Sequence, residues 1–252
     1  MASRQQQPIA TIPFAVAFTA TYRDSVRFLR AFPLLALVPA ALELLQHVVE
    51  VRLGMYASLA AFKSAGHDTL RLAFGFLKEL AMVILGYWIV RFVASGSVAY
   101  AKKADRPAMR LFGWFVAFVA IDTAIELFAL PSTGVLAVVA FVGSQTIGCL
   151  IAAWSIAAPL GNGDVGLRAS IVIMVRQLPW TYVFTLVTIL PLMVPHYLFA
   201  VLAILAPKIS LWPTLLVDAL LVSWITAVAA IADFYAARRA TDLVGVTLVP
   251  GL

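Results

Sequence analysis

Hydrophobic positions in this chain do not alternate with polar ones at a short period. They run on in six blocks of about 20 residues, separated by short polar breaks. The blocks are residues 31–53, opening "AFPLLALVPAALELL"; 74–96, containing "ELAMVILGYWIVRFVASG"; 111–130; 134–159; 180–205; and 212–235. A helix rises about 1.5 Å per residue, so about 20 apolar residues cross a bilayer's hydrocarbon layer. The pattern predicts six transmembrane helices. "PSTG" (131–134) and "APKISLWP" (206–213) read as tight turns that fold spans three and four, and spans five and six, into antiparallel hairpins. Residues 53–73 are apolar in patches but broken by Lys63, His67, Asp68 and Arg71, which predicts a short connection with an interfacial helix.

Two stretches before spans one and five have a different period. In residues 18–32, Tyr22, Val26, Leu29 and Phe32 share a helical face, with Arg23, Asp24, Arg27 and Arg30 largely on the others. Residues 164–178 repeat this, with Asp164 placed to cap the helix start and Arg168 and Arg176 two turns apart. Such helices lie in the headgroup plane. The same boundary chemistry recurs three times, in "RFLRAFPL" (27–34), "PAMRLFGW" (107–114) and "IMVRQLPW" (173–180). In each, an Arg is followed by an apolar side chain and a Pro or Gly just before an odd-numbered span. Arg27, Arg30, Arg110, Arg168 and Arg176 are therefore the candidate contacts for anionic lipid, their stems apolar and their heads in the headgroups.

Composition excludes a soluble domain. Of 252 residues, 63% are hydrophobic and 12% charged, and the mean hydropathy is +0.99. A water-exposed surface needs more charge than that. The expected organisation is one integral membrane domain, residues 1–252, with an all-α polytopic bundle. The net charge of +6 reports topology, not nucleic acid. Thirteen of the 18 Lys and Arg residues fall on the side of the N-terminus, Arg91 among them. Arg52, Lys63, Arg71, Lys78 and Lys208 fall on the other side. By the positive-inside rule both termini are cytoplasmic, in a bacterial inner membrane. A single cysteine, Cys149, precludes an intrachain disulfide.

The stretches "YRDSVRFLRAFPLLALVPA" (22–40) and "LRASIVIMVRQLPWTYVFTLVTILPLM" (167–193) resemble those of a loose group of six-span bacterial inner-membrane proteins. That group is similar to the membrane domain attached to some glycerophosphodiester phosphodiesterases. The resemblance covers about a fifth of the chain. It implies six spans and a membrane role, and no catalytic residue, because no phosphodiesterase domain is present.

Ionisable residues inside spans are costly and mark candidate sites. Glu43, His47 and Glu50 lie on one face of span one. Lys78 and Glu79 lie in span two, Asp122 and Glu126 in span three, His196 in span five and Asp218 in span six. All fall at a similar depth in the outer half. Asp233 reads as a helix-end charge near the inner face. The set can be a polar seam, with acids paired to Lys78, Arg52 and His47, or a proton or substrate site; a metal site is a third reading. The "ExxxH" spacing of Glu43 and His47 is unspecific on its own. No phosphate loop, nucleophile elbow, cysteine ligand set or haem attachment sequence occurs, so no cofactor and no bound metal are expected. Small residues Gly143, Gly148, Ala152 and Ala153 in span four predict close helix packing.

These readings converge on a non-enzymatic multi-pass protein that acts in bilayer or lipid homeostasis, or as a subunit or scaffold of a membrane complex. Its partners would be membrane lipids, with a membrane-protein partner or a second copy as further candidates. The alternative is a small transporter whose protonatable site uses Glu43, His47, Asp122 and Glu126. Pro39, Pro191 and Pro195 would then break their helices.

Overall fold

The computed structural model describes residues 11–130 and 133–248, and of residues 207–210 the backbone alone. The "PSTG" turn and Lys208 thus lie wholly or partly outside the described residues. Within them the chain is all-α, with no strand. In order, the helices are α1 (Phe14–Ala31), α2 (Pro33–Arg52), α3 (Leu59–Ala65), α4 (Thr69–Ser95), α5 (Val98–Lys102), α6 (Arg106–Phe128), α7 (Gly134–Ala157), α8 (Leu167–Met174), α9 (Leu178–Leu205) and α10 (Pro207–Val244). A 3₁₀ turn, Met55–Ala57, follows α2, and another, Val175–Gln177, joins α8 to α9. Six helices, α2, α4, α6, α7, α9 and α10, are long and apolar enough to cross a membrane. They match the six expected spans. The expected interfacial helices before spans one and five are α1 and α8, and α3 fills the connection before span two.

Local sequence sets the boundaries. Phe32 leaves helical geometry at φ −133° and ψ 54°, and Pro33 opens α2, where its missing N–H has no helical partner to lose. Pro107 and Pro179 occupy the first turns of α6 and α9 in the same way. "RLFG" is different: α6 already starts at Arg106, capped by Asp105, so Gly113 sits mid-helix and marks no boundary. Asp164 caps nothing; α8 starts after Gly166 without a side-chain cap. Pro39, Pro191 and Pro195 leave α2 and α9 unbroken.

Helix α10 is the centre of the bundle. About three-fifths of its most apolar stretch is buried, against roughly a tenth to a fifth for α4, α6, α7 and α9. Ala219, Ala227, Ala232, Ala236, Ala237 and Ala240 along it are essentially inaccessible. Methyl-sized side chains let neighbouring backbones approach closely, which is how apolar helices gain contact in lipid. Polar ties fix the register. Ser223 Oγ donates to Ala36 O of α2, and Trp224 Nε1 donates to Ser25 Oγ of α1 at 2.9 Å. The α6–α7 hairpin is the opposite case. Its outer half exposes Val135, Leu136, Val138 and Phe141, while Ala152, Ala153 and Ile156 further along α7 are buried. Gly143 and Gly148 face open space, so of the four small residues in span four only the two alanines serve packing.

Arg91 corrects the charge map. It lies inside α4, fully buried, and is not a loop cation. Its guanidinium stacks on Tyr100 and Tyr87, with ring centroids 4.3 and 5.1 Å away, and donates to Pro159 O (2.9 Å) and Tyr100 O (3.2 Å). It thereby satisfies Pro159 O, just past the end of α7, and adds a second donor to Tyr100 O, which already accepts from Lys103 N. Asp233 is also reassigned: α10 runs on to Val244, so this carboxylate is in the helix interior and is no end charge.

Replacing Ala236 by Leu overpacks this centre and should lower stability by about 1–3 kcal/mol. The thermal unfolding midpoint in one detergent reads it, with Ala15→Leu on the exposed face of α1 as the control. Equal midpoints for both would remove α10 as the packing centre.

Candidate functional site

The interior charges assemble into one cage where α2, α4, α9 and α10 meet. Glu43, Gln46, His47 and Glu50 line one face of α2 and are at most 5% exposed. Glu43 Oε2 meets Lys78 Nζ of α4 at 2.6 Å. Glu50 Oε1 takes Arg71 Nε of α4 at 2.8 Å and Gln46 Nε2 at 2.9 Å. Glu50 Oε2 accepts from Tyr56 Oη at 2.5 Å and lies 2.8 Å from His47 Nδ1. Burial, and then the charge of Glu50, push the Tyr56 phenol above its ordinary range, so it stays a donor here. Asp218 of α10 faces His47 Nε2 at 3.2 Å and His196 Nδ1 of α9 at 2.7 Å. His47 Nε2 also lies 3.5 Å from Glu43 Oε1, in ionic contact without an aligned hydrogen bond.

Charge counting explains the cage. Three carboxylates, Glu43, Glu50 and Asp218, face two fixed cations, Lys78 and Arg71. Both ring nitrogens of His47 face acceptors, an arrangement that an imidazolium satisfies and a neutral ring does not. With that third cation the cage is neutral. Glu43, His196 and Asp218 also offer ligand atoms within 4.8 Å of one another, a spacing a divalent ion could bridge. The Lys78 ammonium already lies against the same Glu43 carboxylate.

Of the nine intramembrane residues singled out in the sequence, the structure brings six together: Glu43, His47, Glu50, Lys78, His196 and Asp218. Glu79 points to a separate cavity. Glu126 accepts from Ser144 Oγ of α7 at 2.8 Å, and Asp122 of α6 joins neither group. Asp122 and Glu126 therefore share no contact with Glu43 and His47, and Glu43 is 2% exposed. Sequence reasoning missed Gln46, Tyr56 and Arg71. It offered Arg52 as the partner cation, but Arg52 is exposed and Arg71 takes that role, because α4 begins at Thr69, about a turn earlier than the apolar block suggests. The Gln46–Glu50 spacing of four was the one signal that could have flagged the first of these.

A second assembly forms at the opposite end of the bundle, where α1, α5, α8 and the C-terminal part of α10 meet the end of α4. Asp24 of α1 organises it. Its carboxylate accepts from Tyr235 Oη of α10 at 2.7 Å and pairs with Arg23 and Arg27 at 3.0 and 3.2 Å. Tyr22 Oη donates to Thr188 O of α9 at 2.8 Å. On α8, the Ser170 hydroxyl donates to Leu150 O and accepts from Trp154 N, inserting into the backbone ladder of α7. These ties bury one face of each short helix and turn the other outward. Arg27, Arg30, Arg110, Arg168 and Arg176 are all exposed. Arg27 also lies over the Phe92 ring, 5.9 Å from its centroid.

Comparison with protein-family models, with curated proteins and with solved structures finds no match to this chain.

Lys78→Met leaves the buried Glu43 carboxylate with only its 3.5 Å contact to His47 and should cost about 3–5 kcal/mol. Adding Glu43→Gln should return part of that loss, measured as unfolding midpoints in one detergent. If the double variant is no more stable than Lys78→Met, the pair is not coupled. A second expectation concerns Asp24. Burial alone would raise its carboxyl, but hydrogen bonds from Arg23, Tyr235 and Arg27 outweigh it and hold the group below the ordinary range. Its contribution is thus present above the unfolded value, near 4, and is lost as pH falls through the lower folded value. Hydrogen exchange of α1 amides should rise only below about pH 4 in the native chain, and be raised without that pH step in Asp24→Asn. Identical profiles would contradict the assignment.

Proposed function

We propose that this is a non-enzymatic multi-pass protein of the bacterial inner membrane, whose helices α1 and α8, with the start of α6, engage anionic lipid headgroups. What supports the reading is the outward placement of Arg27, Arg30, Arg110, Arg168 and Arg176, on helices whose other faces are tied into the bundle. If the six apolar helices each cross the bilayer, alternation puts α1, α5 and α8 on one side. With both termini cytoplasmic, that side is the leaflet where anionic lipid gives a negative surface potential. Exposed apolar residues flank the cations: Ile171, Val172 and Val175 beside Arg168 and Arg176, and Met109 beside Arg110. Such a surface holds headgroups and acyl boundary together. The role is lipid homeostasis, or seating a membrane complex at that leaflet.

The transporter alternative has less support. Its four residues divide between a closed, charge-balanced cage and the separate α6–α7 hairpin, and its prolines leave their helices continuous.

Near an anionic surface each Lys or Arg contributes about 1 kcal/mol. Replacing all five Arg residues by Gln should therefore lower, severalfold, the ratio of anionic to zwitterionic lipid that co-purifies in mild detergent, as quantified by mass spectrometry. An unchanged ratio in a monodisperse variant sinks the proposal.

A further inference from the structure

Helix α7 carries a polar side chain that the bundle does not use. Gln145 is exposed and has no hydrogen bond or ion pair among the described residues. The polar residues on either side of it are committed within the chain. Ser144 Oγ donates to Glu126, and Thr146 Oγ1 donates to Val142 O, each at 2.8 Å. Gln145 sits at the middle of α7, about 16–18 Å from either end at about 1.5 Å per residue. A glutamine is too short to reach the headgroups over that distance, as Lys and Arg do near helix ends. If α7 crosses the bilayer, this amide is set at the depth where hydrocarbon offers it no partner.

The surrounding face suits a second helix. Val138, Phe141, Gln145 and Gly148 follow one another at spacings of three, four and three, so they share one side of α7. Val138 and Phe141 are 62% and 58% exposed, and Gly148 is exposed with them. A Cβ on Gly148 would meet no atom within 4 Å, so no contact inside the chain requires a glycine there, although glycine weakens a helix interior. A small residue lets two backbones approach, and an amide beside it bonds across them.

The chemistry of the amide favours a second copy of this chain as the occupant. An amide is both donor and acceptor, so two of them satisfy each other. Two copies inserted with the same topology run parallel. A two-fold axis along the bilayer normal then sets each residue of the face against its own counterpart at the same depth. A different partner would need a polar group at this one depth of its own span. We propose that the chain forms a parallel homodimer through this face of α7, with the two Gln145 amides hydrogen-bonded to each other and Gly148 setting the close approach. The inference rests on α7 crossing the bilayer and is independent of the lipid-facing arginines.

The test is energy transfer between full-length chains labelled at the N-terminus with donor or acceptor dye, co-reconstituted in vesicles of phosphatidylethanolamine and phosphatidylglycerol. A monomer–dimer curve is expected as the lipid-to-protein ratio rises. Gln145→Leu should weaken association about 3- to 30-fold, the range for an interhelical hydrogen bond in a membrane. Gly148→Leu should abolish it. Both variants should keep the unfolding midpoint of the native monomer, because neither position is tied to the rest of the chain. In a Cys149→Ala background, Gln145→Cys should give a disulfide-linked dimer on mild oxidation, since bridged cysteines need Cα atoms within about 7 Å. Leu190→Cys, on the exposed face of α9, should not. A chain that is monomeric at every ratio, association that survives both Gln145→Leu and Gly148→Leu, or equal cross-linking at positions 145 and 190 overturns the proposal.

Discussion

Charge neutrality inside an apolar bundle is the constraint on which this architecture rests. Glu43, Glu50 and Asp218 are each 2% exposed. Each carboxylate must therefore find its cation on a neighbouring helix or in the same turn. The cations Lys78 and Arg71 come from α4 and His47 from α2, and His196 of α9 adds a ring nitrogen against Asp218. The pairings cross helix boundaries, so α2, α4, α9 and α10 cannot slide past one another without leaving a charge alone. Lipid gives helices little hydrophobic reason to choose one register over another. Here the ion pairs supply that choice at one end, and the alanine seam of α10 supplies close contact along the rest.

The bundle is consequently uneven. The parts tied to α10 are buried and cross-linked by side chains, as where Ser223 and Trp224 bond to α2 and α1. The half of α6 and α7 far from α5 is tied by the Glu126–Ser144 hydrogen bond and shows its apolar residues outward. Polar chemistry is likewise partitioned. Paired charges close the cage, exposed cations ring the opposite end, and the carboxylates Glu79 and Asp233 line a cavity on the α4–α10 seam. Neutral and closed, the cage reads as structural.

Much of this was legible in the sequence, for a specific reason. A span must be apolar over about 20 residues and a cation must stay near water, so block length and Lys/Arg placement encode number and order of helices directly. Glu43, His47 and Glu50 were readable as one face because spacing within a helix is fixed. Partner choice across helices was not readable. Arg71 belongs to the cage and Arg52 does not, although both flank apolar blocks, because only Arg71 lies on the turn of α4 that faces Glu50. Arg91 looked like a loop cation because a charge ending an apolar block normally snorkels; here carbonyls at neighbouring helix ends and two tyrosine rings make burial favourable.

The sequence alone determined an all-α chain with six helices able to span a membrane, amphipathic lead-ins at α1 and α8, and an excess of cations on one side. Those properties depend on residue type and on distances along one helix. Tertiary structure alone decided which acid meets which base, that Glu79 and Asp233 line one cavity while Asp122 and Glu126 stay apart from the cage, and that α10 is the helix the others pack on. Those outcomes depend on the rotation of each helix about its axis. That rotation is set by packing between helices, so no spacing within a single helix records it.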